Sequence, residues 1–200
     1  MKPLFLAGQA GLDFLNTRFI PPGEQTPIEL IGDGQSFVAW LLAAELLDTV
    51  SASKLKRRFG ANALDEVARE ARQFRHWVGE WIARWSETPD GEYDAERRRL
   101  NRLLERGHCY RELVTVGPSS KLVEHCHMNA ATELLALVAF QVALLISGEA
   151  PRLVKRCAGA DCVLWFVDRT KAHRRMFCSA AACGNRAKVA AFRERERGKT

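Results

Sequence analysis

The sequence predicts a mainly α-helical chain with a small β-hairpin: a helical N-terminal domain (residues 1–150), then a finger (residues 151–200) built on four cysteines. Three observations carry this expectation. Apolar residues recur at helical spacing over residues 64–85, and a long apolar run covers 130–146. Strand-like runs flank Gly117-Pro118-Ser119-Ser120, the pattern of a hairpin. Near the C-terminus, Cys157 and Cys162 enclose four residues, as do Cys178 and Cys183, and fifteen residues separate the two pairs. Pairs so placed can bring four thiolates onto one Zn²⁺ at about 2.3 Å. Disulfides are the competing use of such spacing, and they suit small secreted domains. The apolar run at residues 4–7 falls short of the roughly 7–15 residues of a signal peptide. One structural zinc on Cys157, Cys162, Cys178 and Cys183 is therefore expected, with no open position for catalysis. Cys109 and Cys126 are expected to remain free.

In chain order, residues 2–7 read as a short strand broken by Gly8. Leu12, Phe14, Leu15 and Phe19 suggest a short helix. Its Asp13, Asn16 and Thr17 are placed to bond neighbouring backbone and fix the turn into Pro21-Pro22-Gly23. Asn16 and Arg18 are also candidates for contact with a small ligand. Residues 28–31 read as a strand, after which Asp33 or Ser36 caps a helix running to Leu47. Ser51 caps a short basic helix over 53–59. The stripe Leu64, Val67, Ala71, Phe74, Val78 and Ile82 follows, with Trp77, Trp81 and Trp85 along one face. Core or dimer packing is the first reading of those tryptophans, and a small-molecule pocket the second.

Residues 93–106 predict another helix, ended by Gly107. Arg97, Arg98 and Arg99 stand among Glu92, Asp94, Glu96 and Glu105, the pattern of a solvated, ion-paired face. The hairpin takes residues 110–116 and 121–127. His108, Cys109, His125, Cys126 and His127 lie near its open end, where ordinary packing is favoured over a second metal site. Asn129 caps the apolar helix to 146, which carries Glu133 and Gln141 and reads as a core helix rather than a membrane span. Gly148 and Pro151 end it. The finger starts almost at once, so it should dock on the helices rather than swing.

Within the finger, residues 157–162 form a knuckle whose Gly159 permits a tight turn. Residues 163–167 are strand-like, 168–174 turn, and Met176-Phe177 returns toward Cys178. Ser179 caps a helix over 180–195 that carries Cys183. Knuckle, hairpin and ligand-bearing helix make a treble-clef-like order. Gly184 inside a helix costs about 1 kcal/mol relative to Ala, which suggests a close approach by zinc, the hairpin or a phosphate. Asn185 and Arg186 either read adenine and guanine edges or brace the finger.

Charge is segregated. Residues 151–200 hold 13 Lys and Arg against 4 Asp and Glu, whereas residues 1–150 hold 17 against 20. A basic segment of this kind is suited to a polyanion. Arg169, Lys171, His173, Arg174 and Arg175, with Asn185, Arg186 and Lys188 on the helix, are the candidate nucleic-acid contacts.

Trp165-Phe166-Val167-Asp168-Arg169-Thr170, the four cysteines and Cys183-Gly184-Asn185-Arg186 together resemble the CGNR zinc-finger family. That family more often has a Trp near Met176-Phe177. Leu12-Asp13-Phe14-Leu15-Asn16-Thr17 is similar to the opening of the helical ABATE domain that often precedes this finger. The family is regarded as one of stress-induced transcription regulators, so the resemblance implies DNA binding. The expectation is a cytoplasmic transcription regulator that binds double-stranded DNA through its finger, with the helical domain sensing a small-molecule signal or forming a homodimer. A zinc-stabilised protein-interaction or RNA-binding adaptor is the alternative. No Gly-rich phosphate loop or activated nucleophile signature is present, so neither an enzyme nor a membrane partner is expected.

Overall fold

A computed structural model of the chain describes residues 3–21 and 24–198, with the backbone alone at Glu124 and His125. Lys2, Pro22, Gly23 and the His125 side chain, on which parts of the expectations fall, lie outside the described residues. The fold is mainly α with small two-stranded sheets. Its centre is α5 (Leu134–Gly148), where Leu134, Leu135, Val138, Ala139, Val142 and Leu145 are fully buried. The span Ala131–Gly148 is long and apolar enough to cross a membrane, yet half of it is buried inside the protein, the usage of a core helix. α1 (Ala10–Leu15) and α4 (Asp94–Leu104) pack against α5.

α2 (Gly34–Ala43) packs on α3 (Thr49–Glu87), which breaks at Gly60. The φ of 66° there is one that glycine adopts without strain. The short basic helix and the long Trp-bearing helix expected separately are thus the arms of one bent element. On the second arm Leu64, Val67, Ala71, Phe74, Val78, Trp81, Ile82 and Trp85 are buried. Trp77 is half-buried, lying against Trp81 with ring centroids 6.2 Å apart and under the Arg99 guanidinium at 4.5 Å. The tryptophan stripe is core packing, each large apolar side chain contributing about 1.5–3 kcal/mol by burial.

One helix end and two helix starts depart from expectation in detail. Asp33 caps α2 in a reciprocal box with Ser36, but α2 stops at Ala43 because Glu45 takes a φ of 58° and turns the chain. Asp48, not Ser51, caps α3 by accepting the Val50 and Ser51 amides, both at 2.8 Å. Before α5, the Glu133 carboxylate accepts the amides of Asn129 and Ala130 at 2.8 and 3.2 Å, so Glu133 rather than Asn129 closes that end. Arg97 pairs with Asp94 at 2.7 Å, as the ion-paired face of α4 requires.

Residues 3–6 form no strand; β1 (Arg18–Phe19) instead pairs antiparallel with β2 (Ile28–Glu29). β3 (His108–Val116) and β4 (Ser119–His127) form a hairpin longer than expected, closed by Gly117-Pro118. Its register sets Cys109 opposite Cys126, and the two are joined as a disulfide rather than free. This pairing, set by strand register, also removes both sulfurs from any second metal site near the hairpin.

A short turn, Pro151–Leu153, leads into β5 (Val154–Arg156), which pairs antiparallel with β6 (Trp165–Val167). The finger docks, as its short connection requires. Val154, Trp165 and Val167 join the main core, and Val167 donates its amide to the Ala7 carbonyl at 2.9 Å. Asn16 clamps the same strand: its Nδ2 donates to the Trp165 carbonyl at 2.9 Å and its Oδ1 accepts the Trp165 amide at 2.8 Å. Arg169 adds an ion pair with Glu149 across the junction.

Candidate metal centre

β5 and β6 present residues 157–162 as a knuckle at their shared end. The Cys157 amide donates to the Leu164 carbonyl at 2.9 Å and the Cys162 amide to Gly159 at 3.0 Å, which folds the first two ligands toward each other. The Ala158 amide then reaches the Met176 carbonyl at 2.8 Å and brings in the third ligand. The sheet is therefore not the one expected: residues 165–167 pair with 154–156, and Met176-Phe177 contributes no strand. The strand preceding the knuckle was already aligned by the core residues Val154 and Val167, leaving 168–177 as loop. Ser179 accepts the Ala182 amide at 3.2 Å and starts a π-type turn, Ala180–Gly184, that continues into α6 (Asn185–Arg197) and carries Cys183.

The sulfurs of Cys157, Cys162, Cys178 and Cys183 all lie within 4.8 Å of one another, and all four cysteines are free of disulfides. Cys162 and Cys178 stand 3.7 Å apart, Cys178 and Cys183 3.6 Å. A tetrahedron of sulfurs at 2.3 Å from zinc has an edge of about 3.8 Å. The donor set is thus that of one structural zinc, and no fifth ligand faces it among the described residues.

Electrostatics agree with this use. Burial pushes the Cys162 thiol up to about 11 and Cys178 higher still. Burial would raise Cys157 too, but the amides of Cys178 and Gly159, at 3.3 and 3.5 Å from its sulfur, outweigh it and draw that thiol down. So crowded a set of sulfurs ionises together only around a cation, which Zn²⁺ supplies. Arg186 donates from Nη2 to Cys183 Sγ at 3.0 Å and partly offsets the negative centre.

The two glycines of the site differ. A Cβ at Gly159 would meet Cys162 Cβ at 3.2 Å and Cys183 Sγ at 3.4 Å, so a side chain there would press on two of the ligands by a few tenths of an ångström. A Cβ at Gly184 would meet nothing closer than Ser179 O at 3.6 Å, an ordinary contact. The close approach expected at Gly184 is not present in the finger itself.

Asp168 is the residue that sequence reasoning undervalued as part of a turn. Fully buried, it accepts from Lys155 Nζ at 2.7 Å, Thr170 Oγ1 at 2.6 Å and the Arg175 amide at 2.9 Å. Burial alone would raise its carboxyl, but these donors outweigh that and hold it well below the usual carboxylate range. One buried anion therefore orders the loop from Thr170 to Arg175. The signal available in the sequence was Asp168 two residues before Thr170, a local turn pattern.

The candidate nucleic-acid contacts divide into two groups. Arg175 stacks over Phe166 at 4.3 Å and donates to the Phe177 carbonyl at 2.9 Å, while Arg169 holds Glu149 and Arg186 holds Cys183. His173 places Nδ1 3.2 Å from the Asp168 carbonyl, with its backbone at a φ of 50°. These four brace the finger. Lys171, Arg174, Asn185 and Lys188 are exposed, with no side-chain partner among the described residues. Sequence reasoning passed over Arg152 and Arg156, which join Arg174 around one cleft of about 700 Å³ that also touches Lys155, Glu87 and Met176. Their signal was the run of basic residues just before Cys157. Of the two candidate ligand contacts, Asn16 spends its amide on Trp165 and is structural, whereas Arg18 lines a cavity beside the finger.

Two family models match the chain. Residues 153–196 match the model of the CGNR zinc finger. Residues 8–149 match the ABATE model, whose description is "putative stress-induced transcription regulator". No curated protein matches the chain.

Proposed function

The chain belongs to the ABATE family and carries a CGNR zinc finger, and from that premise we propose that it regulates transcription by binding double-stranded DNA through the finger. The observation that carries the reading is the cleft of Arg152, Arg156 and Arg174. None of the three guanidiniums has an ion-pair partner among the described residues, and the zinc centre and Asp168 fix the loop that carries Arg174. Free guanidiniums on a rigid surface can hold phosphate oxygens in two-pronged fashion, where a lysine offers a point charge. Lys171 and Lys188 are further exposed cations of the finger.

Neutralising about five phosphates gives log K a slope of roughly −4.5 against log salt. Arg174→Ala should shrink that slope by about 1 and weaken all duplex sequences alike, with zinc content unchanged. A slope that Arg174→Ala leaves unchanged, or single-stranded RNA outcompeting duplex DNA, would favour the adaptor reading. Asn185, exposed at the start of α6, is the candidate for base contact. No catalytic role is proposed for a centre whose four donors are all protein sulfurs. Thiolate ligation suits a reducing cytoplasm, where the hairpin disulfide, its Cys109 exposed, would be open to cellular thiols.

The dimerising role of the helical part draws on a separate observation. Leu113 and Leu122, opposite each other in the hairpin, are 69% and 61% exposed. An isolated two-stranded hairpin is marginal in water. Beside the hairpin base lies a groove of about 910 Å³ whose lining joins Leu42, Leu46, Leu137 and Phe140 with the charged Glu45 and Asp48. A second copy would cover both. Light scattering should therefore report twice the chain mass, and Leu113→Lys together with Leu122→Lys should return the monomer. A wild-type monomer at all concentrations removes the dimer.

A further inference from the structure

We propose that a cavity between the helical part and the finger binds a small organic anion, a carboxylate or phosphate attached to an apolar body. The cavity, about 650 Å³, is lined from the helical side by Arg18, Phe19, Pro27, Arg72 and Arg75 and from the finger by Arg156 and Trp165. That volume lies in the range of small-molecule sites, with apolar walls and a few charged groups.

The arrangement of charge selects the ligand. Arg75, buried, donates to Thr17 Oγ1 at 2.6 Å and forms a two-pronged ion pair with Glu29, so this cation and this carboxylate cancel. Arg72 spends Nη1 on the carbonyls of Ile31 and Gly32, each at 2.9 Å. His76 and Glu80, at the cavity's exposed side, stand 3.6 Å apart. Arg18 and Arg156 remain. Arg18 sits opposite Glu29 in the β1–β2 register, but both Glu29 oxygens are already held by Arg75. Arg156 lies over the Trp165 ring at 5.5 Å, its guanidinium turned to an aromatic face rather than a carboxylate. Among the described residues neither has an anionic partner. Glu29 and Glu80 also line the site, but Glu29 is held by Arg75 and Glu80 stands beside His76, which leaves Arg18 and Arg156 to receive carboxylate or phosphate oxygens. Trp165, Phe19 and Pro27 supply the surface for an apolar body.

The site gives the sensing role a location, for its ligand would touch both the helical part and the strand that leads to the zinc knuckle. In that respect it rests on the functional reading above, and a binding measurement made without DNA tests it independently. The zinc-loaded full chain is titrated calorimetrically with phenyl phosphate, with benzoate and with neutral benzamide. At least one anion should bind once per chain and benzamide should not. Arg18→Gln and Arg156→Gln should each weaken the anion about tenfold or more, and Arg18→Lys should recover part of the loss. Arg98→Gln, on the exposed face of α4, should change nothing. Which of phenyl phosphate and benzoate binds tighter distinguishes the two anion types. The proposal is overturned if neither anion binds at millimolar concentration, if benzamide binds equally, or if both glutamine variants bind as the parent does. Failure of both anions together with loss of duplex DNA affinity in Arg18→Gln would make these guanidiniums backbone contacts of DNA instead.

Discussion

Cys178→Ser is expected to abolish stoichiometric zinc and unfold the distal half of the finger. Cys178 is buried, its sulfur sits 3.7 and 3.6 Å from those of Cys162 and Cys183, and its amide donates to Cys157. Losing this residue removes one donor and loosens the other three. Binding energy at structural Cys sites amounts to about 10–16 kcal/mol and is in effect folding energy. No other interaction in this region approaches that. The small cluster around the site is Phe19, Leu164, Phe166 and the ligands themselves, and no residue of α6 is buried. Residues 168–197 should therefore lose amide-exchange protection, while the helices packed on α5 keep theirs. Elemental analysis giving one zinc per chain in Cys178→Ser would sink the assignment of the four ligands. A chelator should reproduce the variant's exchange pattern in the parent protein.

The contrast between legible and illegible features follows sequence distance. The zinc ligands were legible because four identical donors stand in two pairs of equal, short spacing. The helices were legible for a similar reason: apolar periodicity over 64–85 is a local property, and burial of Val67, Phe74 and Trp81 follows from it. Register is not local. Nothing near Cys109 indicates that it will stand opposite Cys126, and Asn16 meets Trp165 across 149 positions. The same limit explains the misplaced finger hairpin. Met176-Phe177 and Val154-Lys155-Arg156 were comparable partners for strand 165–167, and the choice fell to the core that Val154 and Val167 enter. Charge reading found the basic segment but not its use. Arg169, Arg175 and Arg186 read like Arg152, Arg156 and Arg174 in a sequence, and only the buried carbonyls, carboxylate and sulfur near the first three tell them apart.

Trp165→Ala is expected to destabilise the whole chain by about 3–5 kcal/mol, the range for deleting a large buried aromatic. Trp165 is 8% exposed and belongs to the main core rather than to the cluster around the cysteines. It is also the residue whose backbone Asn16 clamps from both sides. Its removal should therefore be felt by the helices, although it lies in the finger. Asn16→Ala offers an independent measure of the same junction. It leaves the ring in place but strips partners from the buried Trp165 amide and carbonyl, at about 1–3 kcal/mol for each unsatisfied group. Denaturant unfolding read by helical circular dichroism and by zinc release gives both quantities. The parent should show one coincident transition, because finger and helices share a core. Both variants should lower the midpoint seen by circular dichroism, and the two substitutions combined should lose less than the sum of their separate effects, since they act on one contact. If Trp165→Ala shifts only zinc release and leaves the helical transition within about 0.5 kcal/mol of the parent, the finger is docked without being structurally shared. The clamp by Asn16 would then be a tether rather than part of the core.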